Sequence, residues 1–198
     1  IVRVGTHTGQ NNLVKRLTEH FLKPNKDRSI FRKHIGRAIL SRDNNLELLK
    51  QWEIDLTGKK AREEWAGKID TAAIKSVEDR VTAYMQEYFT FSVIPLETKE
   101  ERLFFEAGII ATTSRSPHFY PSANWLGKFS PEEKIRTRGV WLVHGLNGRS
   151  LTEAEMGDLI KCAETSRLKE LNSKDITVFK QHERSSENAS RDNFFNKT

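Results

Sequence analysis

The sequence predicts an α/β fold in which a small sheet is flanked by helices. Two short stretches are rich in β-branched and aromatic residues, as strands are: residues 1–5 at the start and residues 89–94 near the middle. Elsewhere, apolar residues recur every three or four positions, which is the period of an amphipathic helix. Because both patterns occur within one chain of ordinary domain length, we expect strands and helices to share one core.

The first 21 residues combine a strand, a polar loop and a helix. The strand ends at Gly5, and residues 6–12 have the composition of a loop whose side chains bond to nearby backbone. An apolar stripe with four-residue spacing then predicts a helix, formed by Leu13, Leu17 and Phe21. Arg16 and His20 share that spacing on the adjacent flank. A cation beside an imidazole predicts a site for an anionic oxygen, and a solvated helix flank is the ordinary alternative.

The rest of the chain is predicted to be mostly helical. Ser29 can cap one helix, and Thr98 with Glu101 forms a capping box for another. Pro95 ends the second strand, and residues 140–143 have the composition of a third. Helices are predicted at residues 30–42, 46–54, 77–88, 99–113 and 152–167, with a further helix start at 130–133. The last thirty residues are polar and charged, so we expect disorder over 169–198.

Composition narrows the possible classes of protein. The chain has 198 residues, a formal net charge of +6 and a pI of about 9.4, which favours a polyanionic partner. No run approaches the length of a membrane span, so no membrane role is predicted. The single Cys162 cannot form an internal disulfide and suits a reducing compartment, so we expect a cytoplasmic protein. Neither glycine-rich phosphate-binding pattern is present, and no nucleotide cofactor is predicted.

Glu106 is the carboxylate whose position is most informative. Its helix neighbours at three and four positions are apolar except for Arg102. A carboxylate on an apolar flank is costly unless it meets a cation or a metal. An intrahelical pair with Arg102 and a metal-binding role therefore remain equal alternatives at this point.

Three motifs, in this order, resemble a known family. A strand ending in V-G and a polar loop precede R-L-x-x-H on a helix, which contains Arg16 and His20. Glu106 follows in R-L-F-F-E-A-G-I-I, and Asn124 follows in S-A-N-W-L-G. In order and spacing the chain resembles the GIY-YIG nuclease superfamily, in particular its restriction-type and related members.

The resemblance implies a small, mostly antiparallel sheet flanked by helices. It also implies a domain organisation, with a nuclease-like domain at residues 1–146 that contains a helical insertion at 44–75. A C-terminal helix at 147–168 and the polar tail would follow.

The resemblance further implies a mechanism. Glu106 would hold a Mg²⁺ or Mn²⁺ ion, and Arg16 would stabilise the charge of the phosphate. His20, titrating near neutrality, would relay a proton of the attacking water, and Asn124 would orient phosphate or water.

Two departures from the family pattern concern its tyrosines, which are thought to activate or orient the attacking water. The GIY strand has no counterpart in this sequence, and we expect it upstream of Ile1. Arg3 stands where the YIG motif has its tyrosine. The task would then pass to an upstream tyrosine, to His20 or to His7.

The first two helices are rich in basic side chains, which could contact a duplex backbone through its phosphates. The residues predicted for this role are Lys15, Lys23, Arg28, Arg32 and Lys33. Taken alone, an ordinary solvated face explains them equally well.

Together these observations predict a Mg²⁺-dependent endonuclease of double-stranded DNA. The first alternative is a non-catalytic DNA-binding or partner-binding module that keeps the fold, which the missing tyrosines favour. The second is a basic helical scaffold with no nucleic-acid role. Nothing in the sequence predicts the oligomeric state or the target sequence.

Overall fold

The computed structural model describes residues 3–6 and 12–168, and this part of the chain is helical. Within these residues the helices are α1 (Leu13–Phe21), α2 (Ile30–Arg42), α3 (Leu46–Glu53), α4 (Lys59–Glu64), α5 (Thr71–Tyr88), α6 (Lys99–Arg115), a 3-10 helix (Leu126–Phe129), α7 (Glu133–Arg138) and α8 (Glu153–Leu168). The predicted helices are therefore present, with shifted ends.

The predicted α/β fold, with its small and mostly antiparallel sheet, is wrong for the described part of the chain, where no residue is in a strand. Residues 89–94 and 140–143 form no hydrogen-bonded ladder. Phe89 and Phe91 instead pack their rings on helix residues, at 5.2 Å from Phe31 and 5.8 Å from Phe21 respectively. Aromatic and β-branched residues suit any half-buried surface, and a strand exists only beside a paired neighbour. Residues 140–143 are buried or half-buried and residues 89–94 are half-buried or exposed, and neither stretch is paired as a strand.

Helix α2 lies at the centre of the main core, against α3, α5 and the 3-10 helix. Gly36 allows the close approach of α3, because a Cβ at this position would lie 2.2 Å from the Trp52 ring. The Trp52 indole donates to the Lys33 carbonyl at 3.0 Å. Glycine inside a helix costs about 0.5–1 kcal/mol relative to alanine, which the burial of a whole tryptophan offsets.

The helix starts follow capping rules. Ser29 accepts the Arg32 amide at 3.2 Å, and the capping box of Thr98 and Glu101 is confirmed. Helix α5 begins earlier than the predicted residue 77, because the Asp70 side chain caps it by accepting the Ala73 amide at 2.9 Å. Capping by Asp70 thus extends α5 by almost two turns.

A second apolar cluster surrounds the C-terminal half of α6. Its buried members are Ile110, Val140 and Leu146, with Val4, Phe119 and Leu142 partly buried against them. Val4 belongs to the extended segment of residues 3–6. This cluster therefore holds the start of the described chain against α6.

The chain divides into two compact units. The larger comprises Ile1–Ser92 and Leu96–Met156, and contains helices α1 to α7. The smaller comprises Val93–Pro95 and Gly157–Thr198, of which residues 93–95 and 157–168 are described. The tail predicted at 169–198 lies outside the described residues. Among the helices that are described, none combines the length and apolar character needed to cross a membrane.

Candidate nuclease site

The extended segment at residues 3–6 is joined to the helices by two polar contacts. The Thr6 amide donates to Glu106 Oε1 at 3.1 Å, and the Arg3 guanidinium donates to the Trp141 carbonyl at 3.0 Å. Val4 points into the second apolar cluster between these two contacts. One apolar contact and two hydrogen bonds thus hold residues 3–6 against α6 and the Trp141 backbone.

The charges of Glu106 and Arg16 both act on the guanidinium of Arg3. Burial lowers the pKa of Arg3 to about 10, while the negative charge of Glu106 opposes this shift and the positive charge of Arg16 adds to it. The guanidinium also lies 5.1 Å from the centre of the Phe31 ring. The side chains of Arg16 and Glu106 are therefore both near enough to act electrostatically on one cation.

Glu106 is half-buried on α6 and is held by the Thr6 amide. Arg102, its predicted intrahelical partner, instead donates to the carbonyls of Leu96 and Glu97, each at 3.0 Å. Within the described ranges no ion pair involves Glu106, so the intrahelical pair is not formed. This carboxylate faces a cation-rich region without being neutralised by a direct partner there.

The residues around Glu106 suit one kind of metal. Among the described residues no group of three or more His, Cys, Asp or Glu side chains could hold an ion. An all-protein cage such as a zinc site is thus not built from them. Mg²⁺ commonly takes one or two carboxylates and keeps water and substrate phosphate as its other ligands. A single carboxylate such as Glu106 fits that coordination.

Arg16 lies on α1, and its side chain is 43% exposed. One ion pair, with Glu19 at 3.5 Å, holds it on the same helix. Its charge lowers the pKa values of both Arg3 and His20. A guanidinium that is exposed and weakly paired can still bind a phosphate.

His20 differs from the expectation of a group that titrates near neutrality. Burial is the largest cause that lowers its pKa, and together with the charges of Arg3, Arg16 and Arg32 it brings that pKa to about 4. Its Nδ1 atom forms a hydrogen bond with Ser29 Oγ at 2.6 Å. At pH 7 the ring is therefore neutral, and it is a weak base.

Asn124 and His7 are not brought into this group by any observed contact. The Asn124 side chain is exposed and forms no hydrogen bond with the described residues. The next residue, Trp125, packs on Trp141 at 5.5 Å, whose carbonyl accepts from Arg3. His7 lies outside the described residues.

The predicted basic surface separates into two groups. Lys15, Lys23 and Arg28 are exposed. Arg32 is fully buried, with 0% of its side chain exposed, and Lys33 is 14% exposed and donates to the Glu53 carbonyl at 2.9 Å. Only the first group is accessible to a phosphate backbone.

Arg32 is the centre of a buried network that sequence reasoning missed. Its guanidinium donates to Glu78 Oε2 at 2.8 and 3.0 Å, to the Glu78 carbonyl at 3.0 Å and to Thr82 Oγ1 at 2.6 Å. It also donates to the His20 carbonyl at 2.9 Å. The sequence feature that could have indicated this network is Glu78, which lies on the apolar face of α5 between Val77 and Val81. A carboxylate in that position requires a cationic or hydrogen-bonding partner.

Comparison with known families gives one match. A family model described as the GIY-YIG domain matches residues 1–186. The chain belongs to the GIY-YIG domain family, a nuclease-type superfamily whose members are generally endonucleases. No curated protein matches the chain, and no solved structure does.

Proposed function

We propose that this protein is a metal-dependent endonuclease that hydrolyses phosphodiester bonds of double-stranded DNA. The observation that carries the proposal is that the segment containing Arg3 is bonded to Glu106 through the Thr6 amide at 3.1 Å, and that the charges of Glu106 and Arg16 both contribute to the pKa of Arg3. Two cations can stabilise the negative charge that grows on a phosphate during hydrolysis, and one carboxylate can hold the metal ion. Family membership supplies the class of reaction.

In the proposed reaction, a water oxygen forms a bond to phosphorus while the bond from phosphorus to the leaving oxygen breaks. One proton leaves the water and one is delivered to the leaving oxygen. Glu106 would hold a Mg²⁺ ion, which when bound polarises a phosphate oxygen and lowers the pKa of coordinated water.

The side chains of this chain perform the remaining tasks. Arg16 donates paired N–H groups to the charge that grows on the phosphate. Arg3 adds a second positive charge and, held by the Trp141 carbonyl, keeps a fixed position. The neutral His20 contributes a hydrogen bond, since a pKa of about 4 makes it too weak a base to take the proton of water efficiently. Asn124 would contact the substrate from its exposed loop.

A second candidate function is a DNA-binding module without catalysis. The observation that favours it is Arg3, which stands at the YIG tyrosine position and is bonded to a backbone carbonyl. An arginine held in this way cannot replace the hydroxyl of a tyrosine.

Nicking of supercoiled plasmid DNA separates the two functions. We expect nicking by the wild-type protein with Mg²⁺ and none with a chelator. Glu106→Ala should slow it by at least about 10²-fold, whereas Glu100→Ala, which removes an exposed carboxylate from the same helix, should leave the rate unchanged. Equal nicking by Glu106→Ala and wild type would reject this site. Salt-dependent retention of DNA without any nicking would support the binding module instead.

A further inference from the structure

The N-terminus of α2 holds His20 at two points. Ser29 Oγ lies 2.6 Å from Nδ1 of the ring, and the Arg32 side chain donates to the His20 carbonyl at 2.9 Å. Ser29 and Arg32 are themselves joined, because the Arg32 amide donates to Ser29 Oγ at 3.2 Å. Both the ring and the backbone of His20 are therefore fixed by the same helix start.

The position of the proton between Ser29 and His20 follows from the number of available donors and acceptors. Ser29 is only 1% exposed, and its oxygen already accepts the Arg32 amide, which can act only as a donor. Among the described residues, the one acceptor within reach of the Ser29 hydroxyl proton is His20 Nδ1. If Nδ1 carried a proton, the hydroxyl proton would be buried without a partner, which is costly. Ser29 therefore donates, and Nδ1 accepts.

This arrangement also determines whether Nε2, on the other edge of the ring, has a proton. A neutral imidazole has one N–H group, so a ring that accepts at Nδ1 carries its proton at Nε2. His20 is half-buried, and no described residue forms a hydrogen bond with Nε2. This N–H group is consequently available to a bound molecule.

We propose that Ser29 is a positioning residue that holds His20 in its Nε2–H tautomer, so that His20 acts as a neutral hydrogen-bond donor to the phosphate. The donor role toward the phosphate rests on the proposed nuclease function, whereas the assignment of the tautomer is independent of that function. It differs from proton relay by histidine, because a ring that donates through Nε2 and accepts from Ser29 has no free lone pair to take a proton from water. The proton of the attacking water must then leave by another route.

The matched variants Ser29→Thr and Ser29→Asp separate the tautomer from helix capping. Threonine and aspartate both cap helices, so both keep the role of Ser29 at the start of α2. Threonine keeps the hydroxyl donor. An ionised aspartate has no proton to donate and can only accept from Nδ1–H, which forces the opposite tautomer.

The experiment is a nitrogen-15 NMR measurement of the His20 ring at pH 7 in the three proteins, without DNA or metal. The wild type and Ser29→Thr should show a protonated Nε2 and an unprotonated Nδ1, and Ser29→Asp should show the reverse. A protonated Nδ1 in the wild type would overturn the proposal. If Ser29→Asp does not fold, the spectra of the wild type and Ser29→Thr decide, and a protonated Nδ1 in either would overturn the proposal.

The catalytic role has a separate measurement. Once wild-type nicking is established, kcat of Ser29→Asp should fall by about 100-fold with KM little changed, as on loss of one preorganised donor, and Ser29→Thr should retain activity. Equal kcat for Ser29→Asp and wild type would reject the donor role. Absence of nicking by the wild type would instead refute the proposed function, and the NMR result would stand.

Discussion

Two arginines near His20, Arg32 and Arg16, differ in how fully they are paired. Arg32 is completely buried, and Glu78, Thr82 and the His20 carbonyl accept from its guanidinium nitrogens. Arg16 is 43% exposed and has one ion pair of 3.5 Å. Both are arginines in basic, helical stretches, and only three-dimensional contacts distinguish them. The fold depends on a saturated, buried arginine keeping its partners, whereas an exposed arginine can bind a ligand.

The largest effect is expected where the buried pair is broken. Glu78→Ala leaves the guanidinium of Arg32 buried without its carboxylate, which should lower the free energy of unfolding by about 3–5 kcal/mol. Urea denaturation followed by circular dichroism measures this change. Glu63→Ala is the control, because Glu63 pairs with Lys59 on an exposed helix and should change stability by at most about 0.5 kcal/mol. Equal stability of the two variants would mean that the buried network is not structural.

The next effect concerns the exposed arginine. Arg16→Ala should reduce the rate of plasmid nicking by about 10²–10³-fold, since it removes a donor to the developing charge of the phosphate. Arg16→Lys should recover only part of this loss, because an ammonium lacks the paired donors of a guanidinium. Stability should hardly change in either variant. Lys59→Ala is the surface control and should keep the wild-type rate. A wild-type rate in Arg16→Ala as well would contradict the role of Arg16 as a donor to the phosphate.

DNA binding should likewise distinguish the exposed basic residues from the paired one. Replacing Lys15, Lys23 and Arg28 together by alanine should reduce the slope of log affinity against log salt by up to about 0.9 for each lost phosphate contact. Lys33→Ala should leave that slope unchanged, because its ammonium is bonded to the Glu53 carbonyl. Fluorescence titrations at several salt concentrations provide the slopes. A larger effect from Lys33 than from the exposed group would reverse this assignment.

A smaller effect is expected from pH. The pKa values of His20 and His34 are both lowered to about 4 by burial and by neighbouring arginines, against an ordinary value of 6.5. Each histidine therefore binds fewer protons in the folded chain than in the unfolded one, and the free energy of unfolding should fall as pH decreases from about 6.5 towards 4. Urea denaturation at pH 7 and pH 5 tests this. His34→Gln should lessen the decline, and an undiminished decline in that variant would exclude a contribution from His34.

The local features of the chain were predictable, and the long-range ones were not. Stripes and caps identified the helices, as Thr98 and Glu101 show, because these signals depend on residues within one or two turns. The sheet was predicted wrongly, because residues 89–94 have strand-like side chains but form no ladder, and Phe89 and Phe91 pack on helix residues instead.

The same limit applies to the site. Arg16, His20 and Glu106 were proposed from spacing and resemblance, but the partners that define their chemistry are distant or unmarked in sequence. Ser29 was identified as a cap, and nothing local indicated that its hydroxyl would also bond to His20. Arg32 was assigned to the surface, since its partner Glu78 is 46 residues away.

The central claim is that Arg16 and Glu106 act on the same phosphate. A double-mutant cycle of plasmid nicking, with Arg16→Ala, Glu106→Ala and the combined variant, tests it most directly. Residues that act as one unit give strongly non-additive losses, so we expect the combined variant to be hardly slower than the slower single variant. Losses that multiply fully would show that the two residues act independently, which would contradict a shared phosphate site.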